Sequence, residues 1–270
     1  MNGRVASLTS ISKLANDMLH SLSYSPSVAF HERLREDLRD SKIVHLTDVP
    51  FTDDVVSLYE SLIGSLGQLL KKGERVDEPM FVDNQWLDVR YDARMANAFR
   101  HSNTEQPLHT DGAYVSDFDY DIVFLICLQQ ADHGGETVFL DGEQFVDRLS
   151  ERDSTLLSNL ESTPVRFSKG RMGHKTVPII RRDAEGVIIN WNQFRVANDN
   201  PSEVIELAQK FQAIVEGEMR DGANLVPIRL SEGEAVFFQD HRVLHGRRAF
   251  VGDRCLFKGV VKIPSGLPAC

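Results

Sequence analysis

The sequence places a histidine and an aspartate two residues apart, with a further histidine far downstream. His109 and Asp111 flank Thr110, and His245 precedes Gly246. Side chains two positions apart on an extended strand project from the same face, so His109 and Asp111 can converge on one point. Two histidines and one carboxylate form a facial ligand set that suits ferrous iron and leaves coordination positions open for a co-substrate and oxygen. The expected chemistry is oxidation by activated oxygen.

The third ligand of this set has a competitor. The chain contains nine histidines, and a lone histidine is usually structural or exposed. His241 lies four residues before His245, so both could face the same side of a strand. Gly246 favours His245, because a glycine permits a close approach of the backbone beside the ligand. His133, in a glycine turn, and His174, in a basic segment, are expected to be exposed.

Composition limits the classes of protein and partner. The 270 residues are 41% hydrophobic and 26% charged, which is ordinary for a soluble protein and long enough for one large domain, predicted over 1–270. The net charge of −10 disfavours nucleic acid as a partner, and no apolar stretch is long enough to cross a membrane. Residues 1–10 lack the features of a secretory signal, so a cytoplasmic location is expected. Three cysteines predict no disulfide framework, and Cys127 is expected to be a buried hydrophobe.

Apolar spacing divides the chain near residue 80. Helical periodicity over 8–23, 29–40 and 55–70 predicts a mostly helical N-terminal part, 1–79. Within that part, 43–46 is predicted to be a strand and 72–79 a loop.

Beyond residue 80, short apolar runs alternate with turn signals. Many short strands of this kind are typical of a sandwich or barrel, including jelly rolls. A helix is predicted over 202–218, and the glycine turns at 133–135 and 232–233 are each predicted to precede the neighbouring strand of an antiparallel pair. The predicted strands are 80–82, 86–90, 122–129, 137–140, 187–190, 225–230, 235–239 and 256–263.

Three ordered segments carry a family resemblance: 103–114 around the first two candidate ligands, 134–137 with 141–142, and 243–247 around His245. Together they resemble the taurine dioxygenase and clavaminate synthase-like superfamily of iron(II)/2-oxoglutarate oxygenases, in particular the γ-butyrobetaine and trimethyllysine hydroxylases. The resemblance spans roughly 80–262. It implies a double-stranded β-helix (jelly roll) core over about 80–264 with flanking helices, and His109, Asp111 and His245 as ligands of Fe(II), with 2-oxoglutarate and O2 as co-substrates. Related halogenases carry a small residue in place of the aspartate, so Asp111 implies hydroxylase-type chemistry.

The resemblance also implies residues for the distal carboxylate of 2-oxoglutarate. Thr137 matches the family's hydroxyl contact, and Arg254 is the best candidate for the arginine, because a guanidinium can bind a carboxylate bidentately. Only eight residues separate His245 from Arg254, fewer than is usual in the family. Arg247, Arg248 and Lys258 are therefore alternatives.

Residues that contact the substrate are less well marked. Tyr114, Trp191 and Asn192 could face the pocket, although Trp191 could equally belong to the core and Tyr114 to the barrel rim. The basic segment 166–175 is either a mobile lid or a solvated hairpin. The expected substrate is a small polar metabolite such as an amino acid or a betaine-like acid. An oxygenase of protein-bound or carrier-bound residues and a non-catalytic metal sensor are the alternatives, and a homo-oligomer is left open.

Overall fold

The computed structural model describes residues 18–70, 72–74, 81–83, 86–115 and 120–263, which form a sheet-rich mixed fold with five α-helices. The helices are α1 (Val28–Asp40), α2 (Val55–Leu66), α3 (Gly142–Arg152), α4 (Ser154–Ser162) and α5 (Ser202–Asp221). The strands are β1 (Leu19–Ser23), β2 (Ile43–Thr47), β3 (Gln68–Leu70), β4 (Lys72–Glu74), β5 (Phe81–Asp83), β6 (Leu87–Arg90), β7 (Gln106–His109), β8 (Ile122–Gln129), β9 (His133–Gly134), β10 (Thr137–Asp141), β11 (Val165–Ser168), β12 (His174–Val177), β13 (Ile180–Asp183), β14 (Gly186–Ile189), β15 (Val226–Ile228), β16 (Ala235–Phe238), β17 (Val243–Arg247), β18 (Phe250–Val251) and β19 (Cys255–Lys262).

Two sheets form the centre of the described structure. The larger has seven strands in the order β1-β2-β16-β8-β19-β3, with β6 also paired to β19. The smaller has the order β15-β10-β17-β7. The remaining strands form two-stranded ribbons, β4 with β5, β9 with β18, β11 with β12, and β13 with β14. Among the described residues, none of the helices has both the length and the apolar character that a membrane span requires.

Side-chain alternation along the strands packs the two sheets against each other. On β8, Val123 and Leu125 belong to a buried cluster that also contains Phe139 of β10 and Phe238 of β16. Their neighbour Phe124 points to the opposite cluster, beneath helices α1 and α2. Successive strand residues face opposite sides, so both faces of β8 are buried. Helices α3, α4 and α5 cover the outer face of the smaller sheet in a third cluster.

Several helical predictions need correction. Residues 29–40 are helical, as predicted. The helix predicted over 8–23 is wrong for residues 19–23, which form β1 and pair with β2 in parallel. Residues 8–17 lie outside the described residues. The helix predicted over 55–70 ends at Leu66, because the residues that follow form β3, which pairs with β19. Gly67 permits this pairing, since a Cβ there would lie 2.3 Å from the Lys262 carbonyl oxygen. The loop predicted over 72–79 is wrong for residues 72–74, which form β4, and residues 75–79 lie outside the described residues.

The antiparallel pairs predicted around the glycine turns are also wrong. Strands β8 and β10 lie in different sheets, as do β15 and β16, so the intervening turns carry the chain from one sheet to the other. The first turn instead forms β9, which pairs with β18. At Gly134, φ is +71° and a Cβ would lie 2.1 Å from the Ala249 carbonyl oxygen, so this close pairing requires glycine.

The core can be tested at Phe124. Its ring is fully buried, stacks on Phe237 at a centroid distance of 5.4 Å and meets Trp86 edge to face at 5.8 Å. We expect Phe124→Ala to lower the free energy of unfolding by about 3–5 kcal/mol, because it leaves a cavity between the larger sheet and α2. Urea unfolding measures this. Phe51→Ala, at a ring that is 49% exposed, is the control, and equal losses for both variants would contradict the assignment of the core.

Candidate metal centre and active-site cavity

The structure brings His109, Asp111 and His245 together. His109 ends β7 and lies opposite His245 of β17, with ring centroids 4.3 Å apart. Atoms able to bind a metal, one from each of the three residues, all lie within 4.8 Å of one another. The Asp111 carboxylate lies 3.9 Å from Nε2 of His109 and 3.7 Å from Nε2 of His245. This spacing places one nitrogen from each ring and a carboxylate oxygen around a common centre.

The backbone around the first two ligands is fixed by its neighbours. Thr110, which lies between the two ligands, is fully buried, and its Oγ1 accepts a hydrogen bond from the Trp191 amide at 2.9 Å. The Thr110 amide donates to the Trp191 carbonyl at 2.7 Å. On β17, a Cβ at Gly246 would lie 2.7 Å from the Gln106 carbonyl oxygen, so glycine permits β7 to approach.

A buried carboxylate that the sequence reasoning missed, Asp240, supports two of the ligands. Both of its oxygens accept from the Asp111 amide, at 3.0 and 2.9 Å, and Tyr120 Oη donates to Oδ2 at 3.1 Å. His245 Nδ1 lies 3.4 Å from Oδ1, a contact in which the ring does not complete a well-aligned hydrogen bond. Burial, followed by the charge of Asp111, raises the pKa of Asp240 to about 8. The only sequence signal was a carboxylate five residues before His245.

Electrostatics favour the protonation states that a metal needs. Burial lowers the pKa of His109 and of His245, which keeps both imidazoles neutral near neutral pH. His109 Nδ1 faces the Pro107 carbonyl at 2.9 Å, so it carries the proton, and Nε2, which the Gln106 amide nitrogen approaches at 3.3 Å, keeps the lone pair that a ligand atom needs. Although burial alone would raise the pKa of Asp111, the charge of the neighbouring Lys258 ammonium holds it well below its usual range. Two neutral imidazoles and an ionised carboxylate fit a ferrous ion.

His241 does not join this cluster. It lies in the 3-10 helix Asp240–Arg242, and β17 begins only at Val243, so the premise that both histidines share a strand is wrong. Its ring stacks on Tyr120 at a centroid distance of 5.8 Å, and burial lowers its pKa to about 4.

A cavity of about 560 Å³ opens beside the cluster and is also lined by Thr137 and Arg254. Arg254 is 6% exposed, and its guanidinium lies 5.5 Å from the centroid of the Phe250 ring. Within the described part of the chain, its Nη1 is buried and has no hydrogen-bond partner. Burial lowers the pKa of Arg254 to about 10, so the group stays charged. A buried guanidinium with an unsatisfied N–H is suited to binding a carboxylate.

The alternative cations have other contacts. Arg247 donates to the carbonyls of Phe99, Ser102 and Thr104, at 3.2, 2.8 and 2.6 Å. Arg248 contacts Glu105 and the Met219 carbonyl. Lys258 forms an ion pair with Asp111 and lines the cavity.

The three candidate substrate residues lie in different surroundings. Trp191 is 1% exposed and packs between Phe167 and Phe211, so it belongs to the core and lies outside the residues that line the described cavities. Tyr114 lines a second cavity of about 150 Å³, and Asn192 lines both cavities. The segment 166–175 lies in the β11–β12 hairpin, where Lys169 lines both cavities, and a role as a mobile lid stays a prediction.

The chain is similar in sequence to known dioxygenases. A model of the taurine catabolism dioxygenase TauD, TfdA family matches residues 12–260. "Dioxygenase str8" of Strobilurus tenacellus is 32% identical over 135 residues, which are 47% of this chain and 31% of that protein. Trimethyllysine dioxygenase of Meyerozyma guilliermondii is 27% identical over 174 residues, 58% of this chain and 42% of that protein. The matched regions thus span less than half of these relatives.

Solved structures share the fold. An asparagine oxygenase in complex with Fe(II), 2S,3S-3-hydroxyasparagine and succinate superposes with a TM-score of 0.67 at 18% identity, covering 87% of this chain and 80% of that one. A taurine dioxygenase from Burkholderia xenovorans gives a TM-score of 0.64 at 12% identity, covering 92% and 87%. At such low identity, these likenesses concern the fold alone.

Asp240→Ala tests the role of the buried carboxylate. The change leaves the Asp111 amide and the Tyr120 hydroxyl without their acceptor, so we expect the affinity for Fe(II) or Co(II) to fall about 10–100-fold. Anaerobic metal titration followed by absorbance measures this. Tyr120→Phe removes one of the donors and is expected to lose less, while Asp183→Ala, at a surface ion pair with Arg242, is the control. Wild-type affinity in a folded Asp240→Ala protein would contradict the role.

Proposed function

The chain belongs to the taurine catabolism dioxygenase TauD, TfdA family, and on that premise we propose that it is an iron(II)- and 2-oxoglutarate-dependent dioxygenase. Its proposed reaction uses O2 to hydroxylate or desaturate an unactivated C–H bond of a small polar metabolite. The observation that carries the proposal is the buried, incompletely hydrogen-bonded guanidinium of Arg254 in the cavity that His109, Asp111 and His245 also line. A site that only bound a metal would not need this cation.

The three-residue cluster is the proposed iron site. His109 and His245 would each contribute a neutral Nε2, and Asp111 a carboxylate oxygen, as their lowered pKa values support. When bound, ferrous iron supplies the activation of oxygen and the oxidising power. The chain contributes the arrangement of the ligands, which Asp240 and Thr110 hold from behind. The carboxylate at Asp111 supports hydroxylation rather than halogenation, as the family pattern implies.

Arg254 and Thr137 would hold the distal carboxylate of 2-oxoglutarate. Both line the cavity, and Gly135 leaves room for the arginine, since a Cβ there would lie 3.2 Å from Arg254 Cδ and Nε. The short connection between His245 and Arg254 is occupied by β18 and its turn, after which Arg254 directly precedes β19. The two facing sheets would then correspond to the double-stranded β-helix that the resemblance implies. The cytoplasmic location stays a prediction, which cell fractionation would test.

The co-substrate assignment can be tested without knowing the substrate. Anaerobic mixing with Fe(II) and 2-oxoglutarate should give a weak visible metal-to-ligand charge-transfer band, and air should then give uncoupled succinate. We expect His109→Ala to abolish both signals. Arg254→Gln should weaken 2-oxoglutarate binding by about 10–100-fold, because it removes a charge-assisted hydrogen-bonding partner.

Arg248→Gln is the matched control for this experiment, since that arginine contacts Glu105 and a helix carbonyl instead of lining the cavity. Its 2-oxoglutarate affinity should equal that of the unchanged protein. An intact affinity in Arg254→Gln would refute the arginine assignment. Absence of both the band and succinate in the unchanged protein would favour the metal-sensor alternative over an oxygenase.

A further inference from the structure

We propose that Lys258 makes the metal centre selective for ferrous over ferric iron, by holding a positive charge against the ligand carboxylate of Asp111. This inference rests on the proposed iron site and adds a determinant of its oxidation state. Lys258 would act through Asp111 and would not itself bind the metal, because an ammonium group has no lone pair to offer.

Lys258 occupies an inward position of strand β19. Side chains two positions apart on a strand share a face, and its neighbours on that face, Leu256 and Val260, belong to the buried cluster between the two sheets. Its register partners on the adjacent strands, Leu87 of β6 and Leu125 of β8, are also apolar. The side chain of Lys258 is only 17% exposed. The fold thus places an ammonium group among four apolar side chains.

This placement of a charge is unfavourable unless the charge is paired. A lysine is rarely buried without a partner, and a buried ion pair is often no more stable than apolar side chains of the same volume. Lys258 donates to Oδ2 of Asp111, whose side chain is itself only 20% exposed. A methionine would fill similar space here without desolvating a charge. We therefore attribute the lysine to a requirement of the site and not of the core.

The ion pair joins the two sheets at the metal-ligand cluster. Asp111 follows β7 of the smaller sheet and has its amide held by Asp240, whereas Lys258 belongs to the larger sheet. Asp111 Oδ1 lies 3.9 Å from His109 Nε2, and Oδ2 lies 3.7 Å from His245 Nε2. The carboxylate therefore lies between the ammonium group and the proposed position of the metal.

A fixed positive charge at this place disfavours a trivalent ion more than a divalent one. Repulsion grows in proportion to the charge of the metal, so Fe(III) is repelled half as strongly again as Fe(II). At an effective dielectric constant of about 20, one extra unit of charge a few ångströms away changes an equilibrium constant by more than about tenfold. The hydrogen bond to Oδ2 acts in the same direction, because it draws electron density from an anionic ligand that stabilises Fe(III). Both effects favour the ferrous state that the proposed reaction requires.

The test measures the reduction potential of iron bound to the complete chain. Chelator-treated protein is loaded anaerobically with Fe(II) alone, and samples are poised with redox mediators at one fixed pH. Each bound Fe(III) accepts one electron from a mediator to give Fe(II), and the electron paramagnetic resonance signal of high-spin Fe(III) gives the oxidised fraction. The same preparations then receive 2-oxoglutarate, and its charge-transfer band and affinity are recorded.

Three substitutions at Lys258 separate its charge from its hydrogen bond. Lys258→Met should raise the affinity for Fe(III) relative to Fe(II) about tenfold or more, which lowers the potential of a one-electron couple by about 59 mV or more. Lys258→Gln keeps an N–H donor without the charge and should give most of the same shift. Lys258→Arg keeps the charge and should retain most of the potential of the unchanged protein.

Lys262→Met is the matched control, because it makes the same chemical change on the same strand. Lys262 forms an ion pair with Asp121 at 3.6 Å and is not among the residues that line the described cavities. The potential of this variant should equal that of the unchanged protein. Thermal unfolding before metal loading checks that each variant is folded, and Lys258→Gln carries the test if Lys258→Met does not fold.

The inference is wrong if Lys258→Met and Lys258→Gln keep the potential of the unchanged protein, if Lys262→Met shifts it equally, or if Lys258→Arg behaves like Lys258→Met. A loss of 2-oxoglutarate affinity at an unchanged potential would also overturn it and would assign Lys258 to the co-substrate. With the band present, these results leave the oxygenase proposal standing. A shifted potential without the band supports the role of Lys258 and counts against the proposed function, whereas a chain that binds no iron refutes both.

Discussion

The pairing of β17 with β7 is the constraint on which the site depends. It sets His245 directly opposite His109, and the register shifts immediately afterwards, before Arg247 meets Gln106. A slip of one residue would turn a ligand to the other face of the sheet. Gly246 allows the two backbones to approach, and Arg247 then donates to three carbonyls of the segment that leads into β7. Strand β17 therefore supplies the ligand His245, permits the pairing with β7 through Gly246 and, through Arg247, holds the segment that leads into β7.

Charge is arranged in layers around this pairing. Behind the ligands, the buried Asp240 accepts from the Asp111 amide and faces the far nitrogen of His245. In front of them, the described cavity wall carries cations, with Lys258 paired to Asp111. The ligand carboxylate thus lies between a buried acid, which orients its backbone, and an ammonium group, which keeps it ionised.

The sequence predicted the convergence of the ligands but only part of the frame that holds them. The long apolar strands β8 and β19 were predicted correctly, because their residue types and length are typical of buried strands. Strand β1 was not predicted, because Leu19 and Leu22 have helical spacing and only the pairing with β2 makes the segment extended. Helix α3 was missed although Asp141 caps it through the Gln144 amide, because Asp-Gly also signals a turn. Asp240 could not be identified from the neighbouring sequence, because its burial and its contact with the Asp111 amide depend on the tertiary structure.

The hydrogen bonds between Thr110 and Trp191 join two parts of the molecule that are far apart in sequence. Thr110 separates the two N-terminal ligands, and Trp191 is followed by Asn192 and then by the short helix that bears Phe194 and Arg195. Gln193, the first residue of that helix, lies two residues along the backbone from Trp191 and its hydrogen bonds to Thr110. The cavity wall at Phe194 and Arg195 and the backbone between the two N-terminal ligands therefore belong to one hydrogen-bonded frame.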